Sequence, residues 1–236
     1  MKKFLSTLFL CTAISIVVAS AQEKRTQIRS DRMEKFSKVS LSGKLSVELI
    51  PSGKDSLSIV LTDSELDKLK WSVTKEVLSV SLRPTPGGKG KAEVRIYYSQ
   101  PIDAVTVSGS DVLFRERLKN KMLSFTVGGG GKLTAQAEAL DLELSASGNS
   151  AVSLTGAAKY LTLRATENSK VNCRQLASVS AQVDAATAAE VFVWSSERAV
   201  MSAGSGATIF YRGKPSIIKE SVSKIGLGAS INNIGE

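Results

Sequence analysis

The sequence predicts an all-β fold: a right-handed parallel β-helix of about 20 residues per coil, preceded by an irregular strand-rich N-terminal part. Three observations carry that expectation. Bends of small or polar residues recur at a nearly constant period through the second half of the chain. Apolar residues alternate with polar ones on both sides of each bend, the pattern of strands with one buried face. The composition also fits short repeated strands, with 6% aromatics and no histidine. The right hand follows by analogy from the rule for parallel crossovers.

Residues 1–21 read as a signal peptide. Lys2 and Lys3 supply a positive start, Phe4 to Val18 an apolar stretch, and Ala19-Ser20-Ala21 the small residues of a cleavage site before Gln22. The apolar run is short for a membrane span, and no later segment is long and uncharged enough to be one. A lipoprotein signal at Cys11 is the competing reading. It requires a small residue before the cysteine, where Leu10 stands. Export to the periplasm or the cell surface is therefore expected. After cleavage Cys173 is the sole cysteine, so no intrachain disulfide forms and the core alone must hold the fold.

Residues 22–35 form a basic N-terminal arm. Residues 22–132 carry 20 Lys/Arg against 13 Asp/Glu, whereas residues 133–236 carry nine of each. Such a surplus attracts acidic glycans or lipid head groups at long range, and equally serves as a solubilising surface. Nucleic acid is not an expected partner of an exported chain so poor in aromatics.

Residues 36–104 are strand-rich but irregular. "FSKVSLSGKLSVELIPSG" alternates about Val39, Leu41, Leu45, Val47 and Leu49 before turning at Pro51-Ser52-Gly53. "LSIVLTD", "WSVTKEVLSVSL" and "AEVRIYYS" follow. The separator "TDSELDKLK" suits a helical turn, with Thr62 and Glu65 spaced as a capping box. "RPTPGGKGK" reads as a flexible basic loop. This part is expected to cap the first coil and share its core; an independent sandwich is the alternative.

Residues 105–236 hold the repeats. The inward pairs flanking each bend are Val105/Leu113, Phe125/Leu133, Leu144/Val152, Leu163/Val171, Val183/Val191, Met201/Ile209 and Ser223/Ile231. Successive second members lie 20, 19, 19, 20, 18 and 22 residues apart. One such unit cannot bury its apolar face alone, but a stack can. Gly at the bends permits positive φ, and Asn149 and Asn168, 19 residues apart, are placed to stack as an asparagine ladder. Cys173 falls at an inward position and is expected to be an inert, buried thiol.

The apparent chemical motifs dissolve in this frame. "VGGGGKLT" lacks the first glycine of a P-loop (Thr126) and its final Ser/Thr (Leu133), and no helix follows. "SVSK" at 221–224 has S-x-x-K spacing without its companion motifs. The absence of histidine excludes Ser-His and Cys-His pairs and His-containing metal sites. Asp141, Glu143, Glu167 and Arg164 are the candidates for a β-helical glycosidase or lyase, which needs paired carboxylates or clustered acids with a basic residue. Alternation with Leu140, Leu142 and Leu144 makes the first two ordinary outward positions. No catalytic, cofactor-binding or metal-ligating residue is assigned.

The segments "LTGAAKYL" (154–161), "YRGKP" (211–215) and "GLGASI" (226–231), with the Ser-Gly bends, resemble a family of exported Bacteroidetes-type proteins, the auto-transporter adhesins with a head GIN domain. The resemblance spans residues 36–234 and implies an extracytoplasmic β-helical protein. Thr166-Glu167-Asn168 and Ala185-Ala186-Thr187 depart from its Ser-Gly bends. The expected function is that of a non-enzymatic surface or periplasmic interaction protein, adhesin-like or glycan-binding. The alternatives are a carbohydrate-active enzyme on the same scaffold and a structural part of the envelope.

Overall fold

A computed structural model describes residues 25–30, 33–84, 91–223 and 228–235. The signal peptide, Cys11, the "GGKG" stretch and Lys224 lie outside the described residues. The chain forms β1 (Arg25–Ser30), β2 (Lys38–Ser42), β3 (Leu45–Pro51), β4 (Ser56–Thr62), a 3₁₀ helix (Asp63–Lys68), β5 (Leu69–Thr74), β6 (Val77–Leu82) and β7 (Ala92–Tyr98). There follow β8 (Ala104–Ser108), β9 (Asp111–Phe114), β10 (Leu118–Gly128), β11 (Lys132–Ala146), β12 (Ala151–Ala165), β13 (Lys170–Ala185), β14 (Glu190–Ala203), β15 (Thr208–Arg212), β16 (Ile217–Val222) and β17 (Ser230–Asn233). The helical turn expected in "TDSELDKLK" is the 3₁₀ helix; the side chains of its capping box lie outside the described residues.

From β8 onward the strands stack in parallel as a solenoid. Each coil has two long sides joined by a tight corner, and a short third side. On the first, face A, Val105, Phe125, Leu144, Leu163, Val183 and Met201 follow one another in register. On the second, face B, the inward column is Val112, Leu133, Val152, Val171, Val191, Ile209 and Ile231. The third side pairs residues 118–120 with 137–139 and carries on into 156–158 and 176–178. The period of 18 to 22 residues is thus one circuit of the coil.

Two inward assignments are corrected at the ends of the repeat. Val112 rather than Leu113 faces the core, because the first corner is one residue shorter: Ser108 and Asp111 stand opposite Gly128 and Lys132. Period-two alternation converts that single residue into a change of face, and Leu113 is half-exposed. In the last coil Glu220, not Ser223, continues the Met201 column.

Five successive corners are the same device. Gly128–Gly131, Ser147–Ser150, Thr166–Ser169, Ala186–Ala189 and Gly204–Ala207 each close an i to i+3 amide–carbonyl bond of 2.9–3.3 Å. In every one both central residues have positive φ, the mark of a type I′ turn. Gly148 and Asn149 suit that geometry, yet Glu167/Asn168 and Thr187/Ala188 adopt it too, with φ of 56°, 57°, 52° and 58°. A ladder between corners holds them: Gly130, Asn149, Asn168 and Ala188 donate their N–H to the carbonyls of Gly148, Glu167, Thr187 and Ser205 at 2.7–2.9 Å. Asn149 and Asn168 are therefore equivalent, and the bonds joining their corners come from the main chain. Just inside the corner only small residues fit, giving the buried column Ser110, Gly131, Ser150, Ser169, Ala189 and Ala207.

The N-terminal strands extend both faces in a spatial order that differs from chain order. On face A, β2 lies between β6 and β8, parallel to both; on face B, β3 lies between β7 and β9. The chain leaves β3, runs outward through β4 and β5, returns as β6 and β7, and steps over the β2–β3 coil to reach β8. Beyond them β4 pairs antiparallel with β7, β5 with β6, and β1, cut from the basic segment, with β4. Leu78, Val39 and Val105 continue the face A column in register, and a single hydrophobic cluster runs from Phe36 to Tyr211.

Candidate functional site

Outward side chains of stacked coils form columns as regular as the inward ones. On face B the first outward column reads Asp111, Lys132, Ala151, Lys170, Glu190 and Thr208. The second reads Leu113, Thr134, Ser153, Asn172, Phe192 and Phe210. Where both columns carry small residues, at Ala151 and Ser153, the face dips into an open groove of about 400 Å³. Lys132 and Lys170 flank the dip, and Thr134 and Asn172 offer hydrogen-bonding groups beside it. Asn172 also accepts the backbone N–H of Arg174 at 3.2 Å.

The two ends of this groove differ. Toward the C-terminal coils Phe192 and Phe210 stack at 4.6 Å and 9°, and the Arg174 guanidinium covers the Phe192 ring at 3.7 Å. Arg212 lies over Trp194 at 4.6 Å. Such cation–ring contacts stiffen long side chains that otherwise move freely. Toward the N-terminal coils the charges are paired: Arg95 and Arg115 both meet Glu48, and Lys91 meets Asp111 at 2.7 Å. Among the described residues Lys132 and Lys170 make no ion pair. The groove thus combines two exposed amines, the Glu190 carboxylate at one end, hydroxyl and amide groups, and aromatic edges.

The carboxylates singled out in the sequence lie elsewhere. Asp141 and Glu143 stand on the outward side of face A, opposite Tyr160 and Thr162 of the next coil. They border a second open depression, of about 480 Å³, with Lys38, Asp103 and Met122. Arg164 is in register with Ser145 and Asp184, and Glu167 sits in a corner turn. Asp141 and Glu143 thus share one depression with Asp103, and Glu167 and Arg164 lie outside it. Among the described residues no group of three His, Cys, Asp or Glu is placed to hold a metal ion.

Ionisation follows the same division between surface and core. Glu138, on the third side, is held below the usual carboxylate range by its hydrogen bond from Lys119 at 3.2 Å, and by Arg117 at 3.3 Å. Cys173 is fully buried, and burial pushes its thiol up to about 12. It is the inert core thiol expected. Tyr98 is raised by partial burial and the nearby Glu116 carboxylate.

The groove residues escaped the sequence reading, although a signal for them existed. Lys132 and Lys170 are two periods apart and Phe192 and Phe210 one period apart, at outward steps of the repeat. The period that aligns the inward positions also aligns these outward ones and brings them together.

Comparison with known proteins agrees with this architecture. Solved structures with the same fold include a putative adhesin from Bacteroides fragilis, at TM-score 0.79 and 20% identity, covering 90% of this chain and 98% of that one. A putative lipid binding protein from Parabacteroides distasonis matches at TM-score 0.68 and 14% identity, over 90% and 98% of the two chains. A putative adhesin from Parabacteroides merdae matches at 0.68 and 14%, over 90% and 97%. A search of curated proteins finds no relative. The family model described as "Putative auto-transporter adhesin, head GIN domain" matches residues 35–215, most of the chain and every coil from β2 to β15. With its corners, its parallel stack and that match in agreement, the chain belongs to the auto-transporter adhesin, head GIN domain family.

Proposed function

We propose that this protein is exported and acts as a non-enzymatic, adhesin-like interaction protein that binds glycan along the groove of face B. The observation that carries the reading is the groove itself: small residues at its floor, with hydroxyls, an amide and unpaired amines at its sides. Sugar rings are recognised by such sets, in which polar side chains fix orientation over a preformed concave surface. A glycosidase or lyase requires carboxylates with a basic residue set around a substrate cleft. Asp141 and Glu143 share the face A depression, but Glu167 and Arg164 stand apart from it. None of the four lines the groove of face B, which favours holding a sugar there over cleaving it.

Retention on a panel of immobilised glycans tests the proposal. Ser153 points outward from the middle of the groove, so Ser153→Trp fills the dip without entering the core. Retention of the parent protein and its loss, by tenfold or more, in the variant are expected. Equal retention of both moves the site away from face B, and no retention across the panel overturns glycan binding. Export is tested by the intact mass of the native protein, expected to begin at Gln22; a lipid-modified Cys11 overturns plain cleavage.

A further inference from the structure

We infer that the groove takes an anionic polysaccharide lying along the solenoid axis, with its negative charge on alternate rings. This inference rests on the proposed glycan-binding reading and adds the direction, register and charge of the ligand.

Direction comes from the columns. A chain laid across the coils meets one set of outward side chains for each strand step of about 4.8 Å. That step is close to the advance of one pyranose ring in an extended chain, so each ring meets one coil. Thr134, Ser153 and Asn172 then present one polar side chain per ring along the same line.

Charge comes from the neighbouring column. Lys132 and Lys170 flank Ala151, so the two amines stand two coils apart, about 10 Å at the strand spacing. The coil between them carries a methyl group and no charge. Two cations separated by a neutral step match a copolymer in which every second ring is acidic. A chain charged on every ring places an extra carboxylate opposite the uncharged Ala151, one more than the two amines match.

Length comes from the ends of that column. Asp111 precedes Lys132 and is already paired with Lys91. Glu190 follows Lys170 and opposes an anionic chain that continues past it. The cationic register is therefore confined to β11–β13, with the stacked Arg174, Phe192 and Phe210 beyond it.

Titration calorimetry with three hexasaccharides tests the inference: hyaluronan, acidic on alternate rings; chitohexaose, neutral; and hexagalacturonate, acidic on every ring. At low salt hyaluronan is expected to bind about tenfold more tightly than chitohexaose, the gap narrowing as ionic strength rises. K132E and K170E, both exposed and outward, are each expected to weaken hyaluronan about tenfold, since reversal removes an attraction and adds a repulsion. K54E, on a distant exposed loop, is expected to leave it unchanged, and E190Q to tighten it several-fold. Equal binding of chitohexaose with silent lysine variants overturns the inference and leaves the glycan-binding reading standing. Hexagalacturonate binding as tightly as hyaluronan overturns the alternate-ring register. Failure of all three sugars to bind defeats both the inference and the reading beneath it.

Discussion

The two ends of the solenoid are finished in different ways. At the N-terminal end the outer strand β4 points Leu57, Ile59 and Leu61 inward at 2%, 0% and 1% exposure. The chain folds back over that end: β1 pairs with β4, and Ile28, Met33, Leu66 and Leu69 pack against the core. At the C-terminal end β16 points Ile218 and Val222 inward, in register with buried Ala199 and Ala203, yet they remain 46% and 41% exposed. Among the described residues β16 has a register with β14 alone, which leaves its outer edge without a strand partner. Burial in a stack is conferred by the neighbouring coil, so an inward residue in a final coil stays wet whatever its hydrophobicity. Stability should therefore be graded along the axis, highest where coils lie on both sides.

The sharpest test of that gradient compares two truncations. Phe125 is 1% exposed in the middle of the face A column, and Phe125→Ala is expected to cost about 3–5 kcal/mol in denaturant unfolding. Ile218→Ala, at the open end, is expected to cost under about 1 kcal/mol, because half its surface is already in water. Equal costs break the comparison.

Alkaline stability probes the centre of the stack. The Cys173 thiol stays protonated in the folded state up to about pH 12, while in the unfolded chain it ionises near its ordinary value of 9.0. Its folded pKa is raised, so its contribution is full below pH 9 and lost as pH rises toward 12. Between those limits the parent protein should lose up to about 1.4 kcal/mol per pH unit more than Cys173→Ala. Parallel curves of stability against pH for the two proteins would remove Cys173 from the core.

A smaller effect lies at the corners. Thr187 is β-branched and left-handed, with φ of 52°, where the Gly148 corner has glycine. Thr187→Gly is expected to raise stability by about 0.5–1 kcal/mol, relief of strain exceeding the added freedom of the unfolded chain. A loss of stability shows that the Thr187 side chain contributes more than its backbone costs.

The last test concerns association more than stability. Glu220 occupies the inward Met201 column at the open end, and a charge directed along an apolar column discourages another molecule from stacking there. Glu220→Leu is expected to leave folding unchanged within about 0.5 kcal/mol. It is expected to produce concentration-dependent self-association in sedimentation. A variant that remains as dispersed as the parent shows that the open end is protected in another way.

Much of the solenoid was legible because its rules are local. The period is one circuit of the coil, and the alternation about Leu140, Leu142 and Leu144 is set by the pleat of a single strand. Local rules failed where a corner changed length: the corner before Val112, one residue shorter, moved Leu113 outward, and the last connection, three residues longer, put Glu220 where Ser223 was expected. The candidate site was scarcely legible. Lys132, Ser153 and Phe192 are unremarkable in sequence and become a surface only when four coils are laid side by side.

Strand positions, corner chemistry and the inward face of most coils were settled by neighbours within a few residues of one another. The placing of the β2–β3 coil between β6–β7 and β8–β9, the open C-terminal end and the groove of face B were settled by which strand lies against which. Hydrogen bonds between parallel strands join residues nearly a full coil apart, and β2 pairs with residues 39 and 66 positions away. No local pattern encodes a partner at such a distance, whereas burial of the shared apolar core selects it.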